Sequence, residues 1–94
     1  MIRQSVVFRG RVQGVGFRYT TARIARRHAV AGYVENQPDG TVRLVAEGQP
    51  DEVQSLIDDV LEAMRGKVQS HDAHTLDPTG EFGPPTLGAL AVRR

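Results

Sequence analysis

The chain has 94 residues, 39% of them hydrophobic, with no Cys, no Trp and five Phe or Tyr, and its apolar content is led by twelve Val. That length suits one small domain over residues 1–94, and the lack of Cys excludes a disulfide framework, thiolate catalysis and Cys-based zinc sites. The net charge of +1 hides an asymmetry: residues 1–46 carry eight Arg against two acids, a formal +6, whereas residues 47–94 carry four basic residues against nine acids, a formal −5.

Ile2, Gln4, Val6, Phe8, Gly10 and Val12 alternate with Arg3, Ser5, Val7, Arg9 and Arg11, the two-residue period of a strand with one buried face. Gly14-Val15-Gly16 breaks that pattern, and from Phe17 the apolar positions (Phe17, Thr21, Ile24, Ala25, with His28 beyond) take helical spacing. Ala29–Glu35 and Thr41–Glu47 read as strands joined by a turn over Asn36-Gln37-Pro38-Asp39-Gly40, where Pro presets a negative φ and Gly tolerates a positive one. Pro50, Asp51 and Glu52 then open a second helix whose stripe is Val53, Leu56, Ile57, Val60, Leu61 and Met64, with Arg65, Gly66 and Lys67 as stop signals. Lys67–Asp77 predicts a weak fourth strand, Pro78–Pro85 a loop, and Leu87–Val92 a short final strand. The order βαββαβ predicts an α+β, ferredoxin-like sandwich: a four-stranded antiparallel sheet with a short or irregular C-terminal strand and two helices on one face. The first and third strands are expected at its centre. No apolar run approaches the ~20 residues of a membrane span, and Met1-Ile2-Arg3-Gln4-Ser5 lacks the apolar stretch of a signal peptide, so a cytoplasmic protein is expected.

The segment Gly10-Arg11-Val12-Gln13-Gly14-Val15-Gly16-Phe17-Arg18 runs from a strand through a Gly-rich turn into a helix start. Glycines let the backbone approach a ligand, successive N–H groups converge, and a helix N-terminus adds positive potential, which together make an anion cradle. Arg18 in the first helical turn can close such a cradle on a phosphate oxygen. No Gly-Lys-Ser or Gly-Lys-Thr follows, and Tyr19 stands where a dinucleotide fingerprint needs its third Gly. Spacing alone leaves two readings open, an anion site or a tight strand-to-helix connection with an exposed Arg.

That run, together with Gly32-Tyr33-Val34-Glu35-Asn36-Gln37-Pro38-Asp39-Gly40, closely resembles the acylphosphatase family. The resemblance implies the βαββαβ fold and hydrolysis of acyl phosphates to a carboxylate and inorganic phosphate; a monomer without cofactor or metal is expected. The family's phosphate-binding loop matches Gln13, Gly14, Val15, Gly16, Phe17 and Arg18, its phosphate-holding arginine matches Arg18, and its water-orienting asparagine matches Asn36. Such chemistry suits a small chain. A carboxylate whose conjugate acid has a pKa of ~4–5 departs at neutral pH without a general acid, and phosphoryl transfer asks mainly for positioning and charge stabilisation. For Asn36 to act, its carboxamide must point across the sheet end toward the loop.

Four features depart from the family. Tyr33 stands where Trp is common, Glu35 where a basic or neutral residue is usual, and Leu90-Ala91-Val92 replaces a bulkier final pair, after a lengthened Gly80–Pro85 loop. Strand alternation sends Glu35 and Asn36 to opposite faces, although a nearby carboxylate could weaken phosphate binding, leaving a catalytically weak anion-binding module as the alternative. Arg23, Arg26 and Arg27 raise an RNA-binding reading, but the first strand offers no aromatic platform, and neither a nucleic-acid nor a membrane partner is expected. His71 and His74 bracket Asp72, yet on a strand they face opposite sides and suit no metal site. His28 reads as a helix-end residue, and Asp58, Asp59 and Glu62 as a solvated helix face.

Overall fold

Alternation in the first strand commits Val6 and Phe8 to burial, and the same period recurs in the second and third, so that one face of the sheet is apolar and needs a cover. In the computed structural model, which describes residues 1–94, the elements are β1 (Ile2–Gly10), α1 (Phe17–Ala25), β2 (Ala29–Asn36), β3 (Val42–Gly48), α2 (Pro50–Ala63), β4 (Val68–Leu76), β5 (Thr86–Leu87) and β6 (Ala89–Arg93). The antiparallel sheet is ordered β4-β1-β3-β2, so β1 and β3 are central as the sequence predicts. Phe17, Ile24 and Ala25 of α1 and Val53, Leu56, Ile57 and Val60 of α2 join Val6, Phe8, Val30, Val34, Val42, Leu44 and Ala46 in one buried cluster. Phe8 and Phe17 meet at 5.0 Å between ring centroids, fixing the start of α1 above β1. Thr21, buried among these residues, donates its hydroxyl to the Phe17 carbonyl at 2.9 Å. No helix is long and apolar enough to cross a membrane.

The C-terminal region differs from a single final strand over 87–92. Thr86–Leu87 pairs antiparallel with β2 at Ala29 and Val30, the chain turns at Gly88 with φ +82°, and Ala89–Arg93 then runs parallel to β2 from Ala31 to Glu35. A left-handed residue at Gly88 permits the reversal that alternation alone does not reveal.

The other sheet face carries a strap. Glu47, 1% exposed, accepts hydrogen bonds from Arg3 Nη1 (3.0 Å), Thr79 N (2.8 Å), Thr79 Oγ1 (3.1 Å) and Gly80 N (3.0 Å). Burial pushes the Glu47 carboxyl up, but these donors outweigh it and hold it below the usual glutamate value. Phe82 packs edge-on against Tyr33 at 5.7 Å, and the Arg3 guanidinium lies 5.1 Å from the Phe82 ring centroid. The segment predicted as a plain loop is therefore pinned to the sheet.

Candidate active site

Two glycines shape the turn between β1 and α1: Gly14 (φ +74°) and Gly16 (φ +77°) both occupy the left-handed region. A Cβ at either would meet nothing within 4 Å, so the requirement there is conformational rather than a matter of space. Gly16 is the N-cap of α1 and offers no side chain to its first turn. The first intrahelical bond runs from Thr20 N to Gly16 O at 3.0 Å, and the N–H groups from Gln13 through Tyr19 donate to nothing else in the chain. Unpaired donors on a positive helix end make the turn receptive to an anion.

Beside this turn lies a cavity of about 110 Å³ lined by Val12, Gly14, Gly16, Phe17, Arg18, Tyr19 and Asn36. Five of the residues singled out in the sequence, Gly14, Gly16, Phe17, Arg18 and Asn36, thus meet at one place. Asn36 is the last residue of β2, on the helix-covered face with Val30 and Val34, and its carboxamide makes no hydrogen bond within the chain. Glu35 falls on the opposite face, paired in register with Arg43 and Arg93, and accepts from Gln37 Nε2 at 2.9 Å. Glu35 is not among the residues that line the cavity.

Gln13 and Val15 do not line the cavity. Val15 packs against the core cluster. The Gln13 side chain instead donates from Nε2 to the carbonyls of Gln37 (2.8 Å) and Thr41 (2.9 Å), tying the turn to the β2–β3 hairpin one residue from Asn36. That hairpin is braced by Asp39, which accepts from Thr41 N (3.0 Å) and Thr41 Oγ1 (2.6 Å), bonds that hold its carboxyl below the usual range.

Arg18 donates from Nη1 to the Arg93 carbonyl at 2.6 Å, so the C-terminal strand orients the guanidinium at the cavity. Arg93 is itself anchored by its own guanidinium, 3.8 Å from the Tyr33 ring centroid. No sequence signal marks a backbone carbonyl as a partner, and this contact was not foreseeable. Tyr19 also lines the cavity and is exposed, and nothing in the sequence pattern marks it for the site.

The remaining charged groups lie elsewhere. Arg9 pairs with Asp72 at 2.5 Å on the exposed surface, and Arg11 does not reach the cavity. Arg23, Arg26 and Arg27 face Asp59, Glu62 and Ala63 across a groove between the helices, so the basic patch is mixed in charge. His28, 8% exposed, meets Asp59 Oδ2 at 2.9 Å, while Asp58, Asp59 and Glu62 are exposed as the solvated helix face predicts. No group of three or more His, Cys, Asp or Glu is placed to hold a metal ion, and His71 stacks on Phe8 at 6.2 Å.

Comparison with known proteins bears on the family and the fold. The acylphosphatase family model matches residues 4–84. An acylphosphatase of Salinibacter ruber is 48% identical over 81 residues, covering 85% of each chain, and one of Bifidobacterium longum is 45% identical over 88 residues, covering 88% of this chain and 91% of its own. The crystal structure of acylphosphatase from Bacillus subtilis superposes over the whole of both chains with a TM-score of 0.84 at 29% identity. From its matched residues, its relatives and its fold, the chain belongs to the acylphosphatase family of enzymes.

Proposed function

We propose that the protein hydrolyses the carboxyl–phosphate bond of small acyl phosphates, with the turn from Gln13 to Arg18 holding the phosphoryl group and Asn36 orienting the attacking water. The observation that carries this reading is the meeting of unpaired N–H donors, the Arg18 guanidinium and the unbonded Asn36 carboxamide at one cavity. Backbone donors and Arg18 neutralise the charge that spreads over the phosphoryl oxygens as the bond to the acyl oxygen lengthens. The Asn36 carboxamide holds a water in line with the leaving oxygen. That water's oxygen bonds to phosphorus, the bond from phosphorus to the bridging oxygen breaks with its electron pair on the departing carboxylate, and one water proton passes to a phosphoryl oxygen. The weakly basic leaving group needs no proton donor. Residues 1–94 act in this as one domain, because the core cluster draws on β1, β2, β3, both helices and Leu90 of β6.

Turnover of acetyl phosphate in ¹⁸O-labelled water tests the proposal. The expected result is a rate well above that in buffer, with the label in inorganic phosphate and none in acetate. No acceleration, or label in the acetate, overturns it.

A further inference from the structure

We infer that Tyr19 is the platform for the acyl group and biases this enzyme toward acyl phosphates with a flat, apolar acyl part; the inference rests on the acyl phosphate reading above. Cavity size sets the starting point. At about 110 Å³ the cavity has the volume of roughly three to four waters, enough for a phosphorus and its oxygens. The acyl group must then extend across the mouth, and few side chains are there to meet it. Val12 and Phe17 are buried, at 1% and 2% exposure, and Gly14 and Gly16 present only backbone. Of the remaining three, Arg18 and Asn36 present polar ends. Tyr19 alone offers apolar surface.

Tyr19 is placed outward by helix geometry: Phe17 and Thr21 face the core, and the residue between them points away from it. It is 69% exposed. The other exposed large apolar side chains, Met1, Leu76 and Leu87, lie away from the cavity, so Tyr19 is the one that a bound substrate can cover. Its ring centroid lies 6.0 Å from the Arg18 guanidinium carbon, which puts the aromatic face next to the group that holds the phosphate. An aromatic acyl group, one carbonyl removed from the phosphate, can stack on that ring, whereas an acetyl group is too small to cover it. Aromatic pairing of this kind changes affinity by about three- to tenfold. Because the contact is the same before and during reaction, it acts through KM rather than kcat.

Steady-state kinetics with benzoyl phosphate and acetyl phosphate on the wild type, Tyr19→Ala and Tyr19→Phe test the inference. In Tyr19→Ala the benzoyl-to-acetyl ratio of kcat/KM is expected to fall about three- to tenfold through a higher KM for benzoyl phosphate, and in Tyr19→Phe to stay near the wild-type ratio. Each ratio is taken on one preparation, so a change in the folded fraction cancels. An unchanged ratio in Tyr19→Ala, with both substrates turning over, overturns the role of Tyr19 and leaves the activity standing. An equal fall in Tyr19→Phe assigns the effect to the hydroxyl and overturns stacking. Failure of the wild type to accelerate either substrate overturns the activity and the platform together.

Discussion

Replacing Gln13 by Ala probes how the anion-binding turn is held in register with Asn36. The Gln13 side chain spans the two by donating to Gln37 O at 2.8 Å and Thr41 O at 2.9 Å. Neither carbonyl is orphaned by its loss, because Gln37 O also accepts from Gly40 N (3.1 Å) and Thr41 O from Gln37 N (2.8 Å). The cost in stability is therefore that of two ordinary hydrogen bonds without a desolvation penalty, about 1–2 kcal/mol in all. A domain with about 5–15 kcal/mol of stability stays folded after that loss. The cost in catalysis is larger in proportion, since a water held even ~1 Å out of line slows attack by up to about 100-fold. Gln13→Ala is thus expected to lower kcat about tenfold or more at a temperature where circular dichroism shows it folded, while inhibition by inorganic phosphate weakens only about two- to threefold. Gln13→Glu cannot donate and sets a negative charge beside two carbonyls and the anion site, so its phosphate affinity should fall below that of Gln13→Ala. A wild-type kcat in Gln13→Ala would refute the reasoning, because the side chain would then have no part in aligning the two halves of the site.

Other perturbations reach the scaffold. The depressed carboxyl of Glu47 contributes stability that is present above its unfolded-state pKa and lost as the pH falls through its folded one, so acid should release the strap below about pH 4. Thermal melts between pH 7 and pH 3 should accordingly show a steeper loss of Tm in the wild type than in Glu47→Gln, which should cost about 1–3 kcal/mol at pH 7; parallel curves would contradict the latch. Leu56→Ala, at a fully buried position of α2, should cost about 2–5 kcal/mol and lower Tm by at least about 8 °C, and a smaller change would mean that α2 is not seated as described.

The parts of this molecule that were legible in the sequence share one property: their signal is local. The alternation of Val6 and Phe8, the stripe Val53-Leu56-Ile57-Val60 and the turn at Pro38-Asp39-Gly40 each report structure within a few residues, and they suffice for the order of the sheet. Gly14, Gly16 and Arg18 suggest an anion cradle by residue type but leave a plain tight turn equally open, and Asn36 stands out only through the resemblance to the acylphosphatase family; the four line one cavity. What was hidden depends on distant chain. Alternation alone assigns Glu47 to a polar face, and only the strap arriving from Thr79 and Gly80 buries it. The Gln13 side chain is claimed by carbonyls at Gln37 and Thr41, and Arg18 by the carbonyl of Arg93, partners that every residue type offers equally. The reversal at Gly88 was concealed because a glycine there is compatible with a continuous loose strand.

The central claim is a division of labour at one cavity, with Arg18 holding the phosphate and Asn36 acting on the water. It is tested most directly by measuring kcat for acetyl phosphate, together with the inhibition constant of inorganic phosphate, in the wild type, Arg18→Ala and Asn36→Ala. Loss of the charge-assisted bonds from Arg18 should weaken phosphate binding about 10- to 100-fold and lower kcat as well. Asn36→Ala should lower kcat about 100-fold or more while phosphate inhibition stays within about threefold of the wild type. Full kcat in Asn36→Ala, or phosphate affinity unchanged in Arg18→Ala, would contradict the account.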